Sequence, residues 1–147
     1  MASAAVKPLE VLLVEDNPGD IRLTREALRT GDVAVSLSVA RDGVEALDFL
    51  HREGSFATAP RPDIILLDLN LPRKGGREVL SEIKGDPHLK RIPVLVMTTS
   101  RADQDIDRAY SLNANCYIAK PMDLDEFLRI VKSIEDFWIK TVTLPTM

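Results

Sequence analysis

The chain has 147 residues, 45% hydrophobic and 29% charged, which suits one globular domain with a full core. A net charge of −4 gives no electrostatic reason to expect nucleic acid or an anionic membrane as a partner. No apolar run is long enough to span a bilayer, and a single cysteine excludes an internal disulfide and points to the cytoplasm.

Residues 1–8 lack the apolar core of a signal peptide and are read as a flexible leader. Residues 9–14, Leu-Glu-Val-Leu-Leu-Val, form the first predicted strand and run into Glu15-Asp16-Asn17-Pro18. Asn17 suits a helix cap and Pro18 a first helical turn. Ile21, Leu23, Ala27 and Leu28 give that helix an apolar side through Thr30, and Gly31-Asp32 closes it. Val33, Val35, Leu37 and Val39 alternate with smaller or polar residues, the pattern of a half-exposed, edge-like strand. After Asp42-Gly43, Val44, Leu47, Phe49 and Leu50 mark a second helix ending near Gly54. Residues 55–62 read as an irregular surface connection.

The stretch 63–72, Asp-Ile-Ile-Leu-Leu-Asp-Leu-Asn-Leu-Pro, organises the rest. Its branched apolar run reads as a strand buried on both faces, and Asp68 stands at its carboxyl end. Gly75-Gly76 opens a third helix carrying Val79, Leu80 and Ile83, which ends before Pro87. Residues 93–97 form another buried strand, followed by Thr98-Thr99-Ser100. A more polar helix is predicted over 102–112, then a short strand over 116–119 ending in Lys120-Pro121. The last helix, 124 to about 138, places Phe127, Val131, Ile134 and Trp138 on one stripe. Strand and helix alternate five times, which predicts right-handed βαβ units in a three-layer α/β sandwich. One domain is expected over 9–138, with 139–147 as a C-terminal extension.

Open parallel sheets carry their chemistry beyond the carboxyl ends of the strands. Glu15, Asp16, Asp68, Thr98 and Lys120 all reach that edge. Singly, each has an ordinary reading: a solvated turn, a strand-end ion pair, an exposed lysine. Together they do not. Carboxylates about 5 Å apart repel by roughly 3 kcal/mol per pair at an effective dielectric near 20, so such a cluster calls for a divalent cation or a raised pKa. All-oxygen ligands, with a backbone carbonyl near Asn70, favour Mg²⁺. A cation beside a reachable carboxylate, a lysine and a hydroxyl is a phosphoryl-transfer arrangement. Thr98 and Thr99 differ here only in which way the pleat points them. No Gly-rich phosphate loop occurs, so the expected donor is another protein's phosphohistidine or a small acyl phosphate.

In this order, Glu15-Asp16, Leu-Leu-Asp68-Leu-Asn-Leu-Pro, Val-Met-Thr98-Thr-Ser and Lys120-Pro121 resemble bacterial response-regulator receiver domains, over residues 9 to about 138. The resemblance implies a flavodoxin-like fold, a five-stranded parallel sheet of order 2-1-3-4-5 with five helices. It implies that Asp68 is phosphorylated and that Mg²⁺ is held by Asp16, Asp68 and the Asn70 carbonyl, with Glu15 acting through water. Lys120 and Thr98 would meet the phosphoryl group, Thr98 and Tyr117 would move together as a switch, and Lys120–Pro121 would be cis. Beyond self-phosphorylation and slow autodephosphorylation no enzyme activity is implied. Glu15 departs from the aspartate more usual at its position.

More narrowly, Arg41-Asp-Gly, the Pro-rich loop before the third strand, Gly-Arg77-Glu-Val, Asn115-Cys-Tyr and the ending from Phe137 to Pro145 resemble single-domain regulators that partner phytochrome histidine kinases. At this length the expected output is protein contact or onward phosphotransfer. Phe137, Ile139, Val142, Leu144 and Pro145 lie beyond a completed core, which with Trp138 predicts a homodimer through the fourth helix, fifth strand and last helix. The alternative is that this tail folds back on its own domain. The competing function is a stand-alone aspartyl-phosphate phosphatase or phosphotransferase. That chemistry wants an acid two residues after the nucleophile, where Asn70 stands.

Overall fold

Val, Ile and Leu fill both faces of the central strands, which drives them to pair in parallel inside the molecule. The computed structural model describes residues 8–31, 33–99, 102–139 and 141–145. Most of the expected leader (1–7), with Asp32 and Ser100, lies outside that description. The strands are β1 (Leu9–Val14), β2 (Val35–Ala40), β3 (Ile64–Leu67), β4 (Val94–Thr98) and β5 (Cys116–Ala119). The helices are α1 (Pro18–Arg29), α2 (Gly43–His51), α3 (Gly76–Gly85), α4 (Asp103–Ser111) and α5 (Leu124–Ile134). All strand pairs are parallel and the order is β2-β1-β3-β4-β5.

Successive side chains of a strand point to opposite faces, so each central strand feeds two cores. On one face Leu12, Val14, Ile65, Leu67, Val94 and Val96 pack against Leu47 and Leu50 of α2 and Val79, Leu80 and Ile83 of α3. On the other, Val11, Leu13, Ile64, Leu66, Leu95 and Met97 pack against Ile21 and Leu28 of α1 and Phe127, Val131 and Ile134 of α5. The edge strands β2 and β5 are half-buried along almost their whole length. Helix α4 buries a single residue, Ala109. Among the described residues no helix is long and apolar enough to cross a membrane.

The helix starts follow local chemistry. Asn17 caps α1 by accepting from Asp20 N–H at 3.0 Å, and Asp42 caps α2 by accepting from Glu45 N–H at 2.8 Å. Within the loop expected to be irregular, Gly54–Phe56 forms a tight helical turn, and Phe56 meets Phe49 at 5.5 Å between ring centres.

The C-terminus differs more. Regular α5 stops at Ile134 and passes into one widened turn, Glu135–Ile139. The extra residue in that turn places both Trp138 and Ile139 against the second core. Val142 N–H then donates to Phe137 O at 2.9 Å, and Val142 and Leu144 are half-buried. The expectation that Ile139 has no core to enter is therefore corrected: Ile139 packs against the second core of its own domain. Phe137 stays outward, 57% exposed, against the edge of Trp138, and Pro145 is exposed as well.

The loop leaving β3 returns close to its own start. Gly76 N–H donates to Leu69 O at 3.1 Å, and a Cβ on Gly76 would stand 2.4 Å from Asp68 O and 2.5 Å from Leu69 Cα. Both neighbours are backbone and cannot yield. Gly76→Ala should lower stability by about 1–3 kcal/mol. Urea unfolding would read this as an earlier midpoint at unchanged slope.

Candidate functional site

The site lies at the carboxyl ends of β1, β3, β4 and β5. Backbone bonds extend the sheet one residue further there: Glu15 N–H donates to Ala40 O, Asp68 N–H to Val14 O, and Lys120 N–H to Thr98 O, at 2.9, 3.0 and 2.7 Å. These bonds fix where each functional side chain starts. Lys120, with 4% of its side chain exposed, donates from Nζ to Glu15 Oε2 at 2.8 Å, Asp68 Oδ2 at 2.8 Å and Asp20 Oδ2 at 2.9 Å. Asn70 N–H donates to Asp68 Oδ1 at 2.9 Å, and Asn17 N–H to Glu15 Oε1 at 3.1 Å.

The neighbouring threonines separate. Thr98 is fully buried and its Oγ1 accepts from Asn70 Nδ2 at 3.2 Å, while exposed Thr99 accepts from the same amide at 3.4 Å. Tyr117 sits farther along β5, packed at the rim of the first core, and its backbone N–H donates to Tyr110 Oη on α4 at 3.1 Å.

Carboxylate oxygens of Glu15, Asp16 and Asp68 lie within 4.8 Å of one another. Burial, then a hydrogen bond shared with Asp68, pushes the Glu15 carboxyl up to about 8, although Lys120 pulls the other way. Burial also opposes ionisation of Asp68, but hydrogen bonds with Glu15, Lys120 and Asn70 N–H outweigh it and hold Asp68 below the usual carboxylate range. The shared proton thus rests on Glu15. Burial disfavours the Lys120 charge as well, yet its carboxylate partners raise its pKa on balance.

A clustered, all-oxygen donor set of three carboxylates fits a hard divalent cation. Exposed Asp16, with buried Glu15 and Asp68, could supply the ligand atoms.

Two details depart from expectation. The described peptide bonds include no cis bond, so Lys120–Pro121 is trans. The intrinsic preference of an X–Pro bond for trans, about 0.5–1 kcal/mol, prevails, and Lys120 reaches all three carboxylates from that geometry. The second departure is Asp20, which sequence reasoning missed. Its only sequence signal was its place four residues after Asp16 in the first turn of α1, where an acid already suits the helix dipole.

Residues 11–132 match the response regulator receiver domain. The chain belongs to the response-regulator receiver family. Response regulator Rcp1 of Synechocystis sp. is 48% identical over 145 residues, 99% of each chain. Among solved structures, the phosphorylated cyanobacterial phytochrome response regulator RcpA superposes with a TM-score of 0.93 at 54% identity, covering 95% of this chain and 100% of that one. The Mn²⁺-bound form of Rcp1 gives 0.92 at 50% identity, with the same coverage. This receiver is accordingly a response regulator of phosphorylation-dependent two-component signalling, with a carboxylate cluster at its acidic edge that could hold a metal ion.

The raised Glu15 pKa carries a sign. Stability from its protonated form is complete below its ordinary value of 4.5 and is lost as pH rises through about 8. The metal-free receiver should melt at progressively lower temperature across that interval. Divalent-cation affinity should rise over the same interval, with release of a proton that titration calorimetry in buffers of different ionisation heat would count. Glu15→Gln should remove the proton release.

Proposed function

We propose that this receiver accepts a phosphoryl group on Asp68 from a phytochrome-type sensor histidine kinase in the cytoplasm. The arrangement of Asp68 carries the reading: a nearly buried carboxylate with Lys120 Nζ at 2.8 Å and the Glu15 and Asp16 oxygens within 4.8 Å. Its likeness to Rcp1 and to phosphorylated RcpA supports the choice of kinase class. Asp16, Asp68 and the Asn70 carbonyl would hold Mg²⁺, with Glu15 reaching it through water. Bound there, Mg²⁺ supplies positive charge to the phosphoryl oxygens.

Asp68 attacks phosphorus in line, and Lys120 meets the charge that builds on the transferring group. Thr98 then exchanges its bond from Asn70 for one to the phosphoryl group. Tyr117 repacks with it, and the face made by α4, β5 and α5 changes what it binds. Slow hydrolysis of the aspartyl phosphate resets the receiver. Asp68→Asn should fold normally and take up no phosphoryl group from acetyl phosphate and Mg²⁺, where the unaltered chain takes up one. Intact-mass measurement decides it, and phosphoryl uptake by the Asp68→Asn chain would remove Asp68 from the mechanism.

The domain runs over 9–138, and the extension 139–147 contributes to a homodimer with Phe137, Trp138, Ile139, Val142 and Leu144. Support comes from the 57% exposed Phe137 ring in the turn that follows α5 and from the half-buried β5. Trp138 and Ile139 act from beneath, setting the position of Phe137. Phe137→Ala should weaken dimerisation about tenfold, with little change in the melting temperature of the monomer. Sedimentation over a concentration series would show it; an unchanged dissociation constant would exclude this ring from the interface.

A further inference from the structure

Lys120 Nζ is ringed by three carboxylates, and loading the pocket would change them unequally. Asp68 gives an oxygen to phosphorus and loses charge, which weakens it as an acceptor. Glu15 belongs with Asp16 and Asp68 to the trio whose oxygens cluster within 4.8 Å. Asp20 belongs to neither process.

Its carboxylate comes from the first turn of α1, and Oδ2 accepts from Lys120 Nζ at 2.9 Å. The turn holds it in place, because Asp20 N–H donates to the Asn17 cap at 3.0 Å. Its side chain is 26% exposed, against 4% for Glu15 and 7% for Asp68. Asp20 is therefore the most solvent-exposed of the three acceptors around the ammonium.

The geometry points to Asp20 as a positioning residue for phosphoryl transfer: from α1 it keeps the Lys120 ammonium aimed into the pocket while Glu15 and Asp68 give up their hydrogen bonds to it. The inference rests on phosphorylation of Asp68. With acetyl phosphate, an Asp68 carboxylate oxygen forms a bond to phosphorus as the bond from phosphorus to the acetate oxygen breaks. The electron pair leaves with acetate, and Lys120 stays protonated throughout. An ammonium already fixed in direction costs no reorganisation when charge develops on the phosphoryl oxygens. An acid that served only the dipole of α1 would change stability and leave this rate alone.

The test uses the full chain at saturating Mg²⁺, titrated with acetyl phosphate and followed by intact mass. Asp20→Ala should lower the maximal rate about tenfold, the scale of one charge-assisted hydrogen bond, and barely move the half-saturating acetyl phosphate concentration. Asp20→Asn keeps an acceptor and should recover part of the loss. In a Lys120→Ala background Asp20→Ala should add nothing, since its effect passes through the ammonium. An unchanged maximal rate in both Asp20 variants, a lowered melting temperature with the rate intact, or losses that multiply in the double variant would each overturn the assignment. Failure of the unaltered chain to take up phosphoryl would instead remove the Asp68 reading, and this inference with it.

Discussion

A buried ammonium decides how the functional end of this sheet is assembled. Lys120 has 4% of its side chain exposed, and charge in such a place is costly unless it is paired. Its partners lie 105, 100 and 52 residues away in sequence, so three hydrogen bonds tie β5 to β1, α1 and β3. One positive charge does not balance Glu15, Asp20, Asp68 and nearby Asp16. Burial, together with the hydrogen bond shared with Asp68, raises the Glu15 pKa, so Glu15 gives up its proton least readily. The surplus negative charge of the clustered carboxylates suits the pocket to a divalent cation.

Rigidity is distributed to match. Helix α3 buries Gly76, Val79, Leu80 and Ile83, whereas α4 buries only Ala109. Of the five α-helices, α4 is thus the one least held by apolar packing. Polar links hold it instead: Arg77 of α3 pairs with Asp105, and Tyr110 Oη accepts from the Tyr117 N–H. Bonds of this kind contribute about 0.5–1.5 kcal/mol each, while removing a buried leucine or isoleucine from α3 costs about 2–5. A phosphoryl charge of about −1.5 to −2 acts on the first scale, so α4 can respond without unfolding α3.

The parts legible in the sequence were those with a local physical cause. Apolar runs ending in Glu15, Asp68, Thr98 and Lys120 gave the strands and the edge at which they finish, because burial on both faces demands such runs. Asn17 and Asp42 marked helix starts through their side-chain oxygens. Asp20 was not legible, since its bond to Lys120 spans 100 residues and needs α1 to be placed first. Trp138 fitted a regular α5 stripe, but the widened turn at Glu135–Ile139 brings Ile139 inward beside it. A periodicity of 3.6 cannot announce the residue at which it breaks.

Asn70 links the acidic pocket to the two threonines at the end of β4. Its backbone N–H holds Asp68 Oδ1, and its side-chain amide holds the Oγ1 atoms of Thr98 and Thr99. Thr98 is fully buried, so a hydroxyl turned away from Asn70 must find another partner or lose about 1–3 kcal/mol. Its backbone is not free to follow, because Thr98 O accepts from Lys120 N–H at 2.7 Å and Thr98 pairs in register with Ala119. What remains is side-chain rotation between two partners, one present at rest and one supplied in the proposed cycle by the phosphoryl group. Two satisfied positions with a costly one between them make a two-state element, and the choice is set by which partner is available. Asn70 therefore does more than withhold an acid two residues after Asp68: its amide fixes the resting position of the Thr98 hydroxyl, the position from which the proposed switch would start.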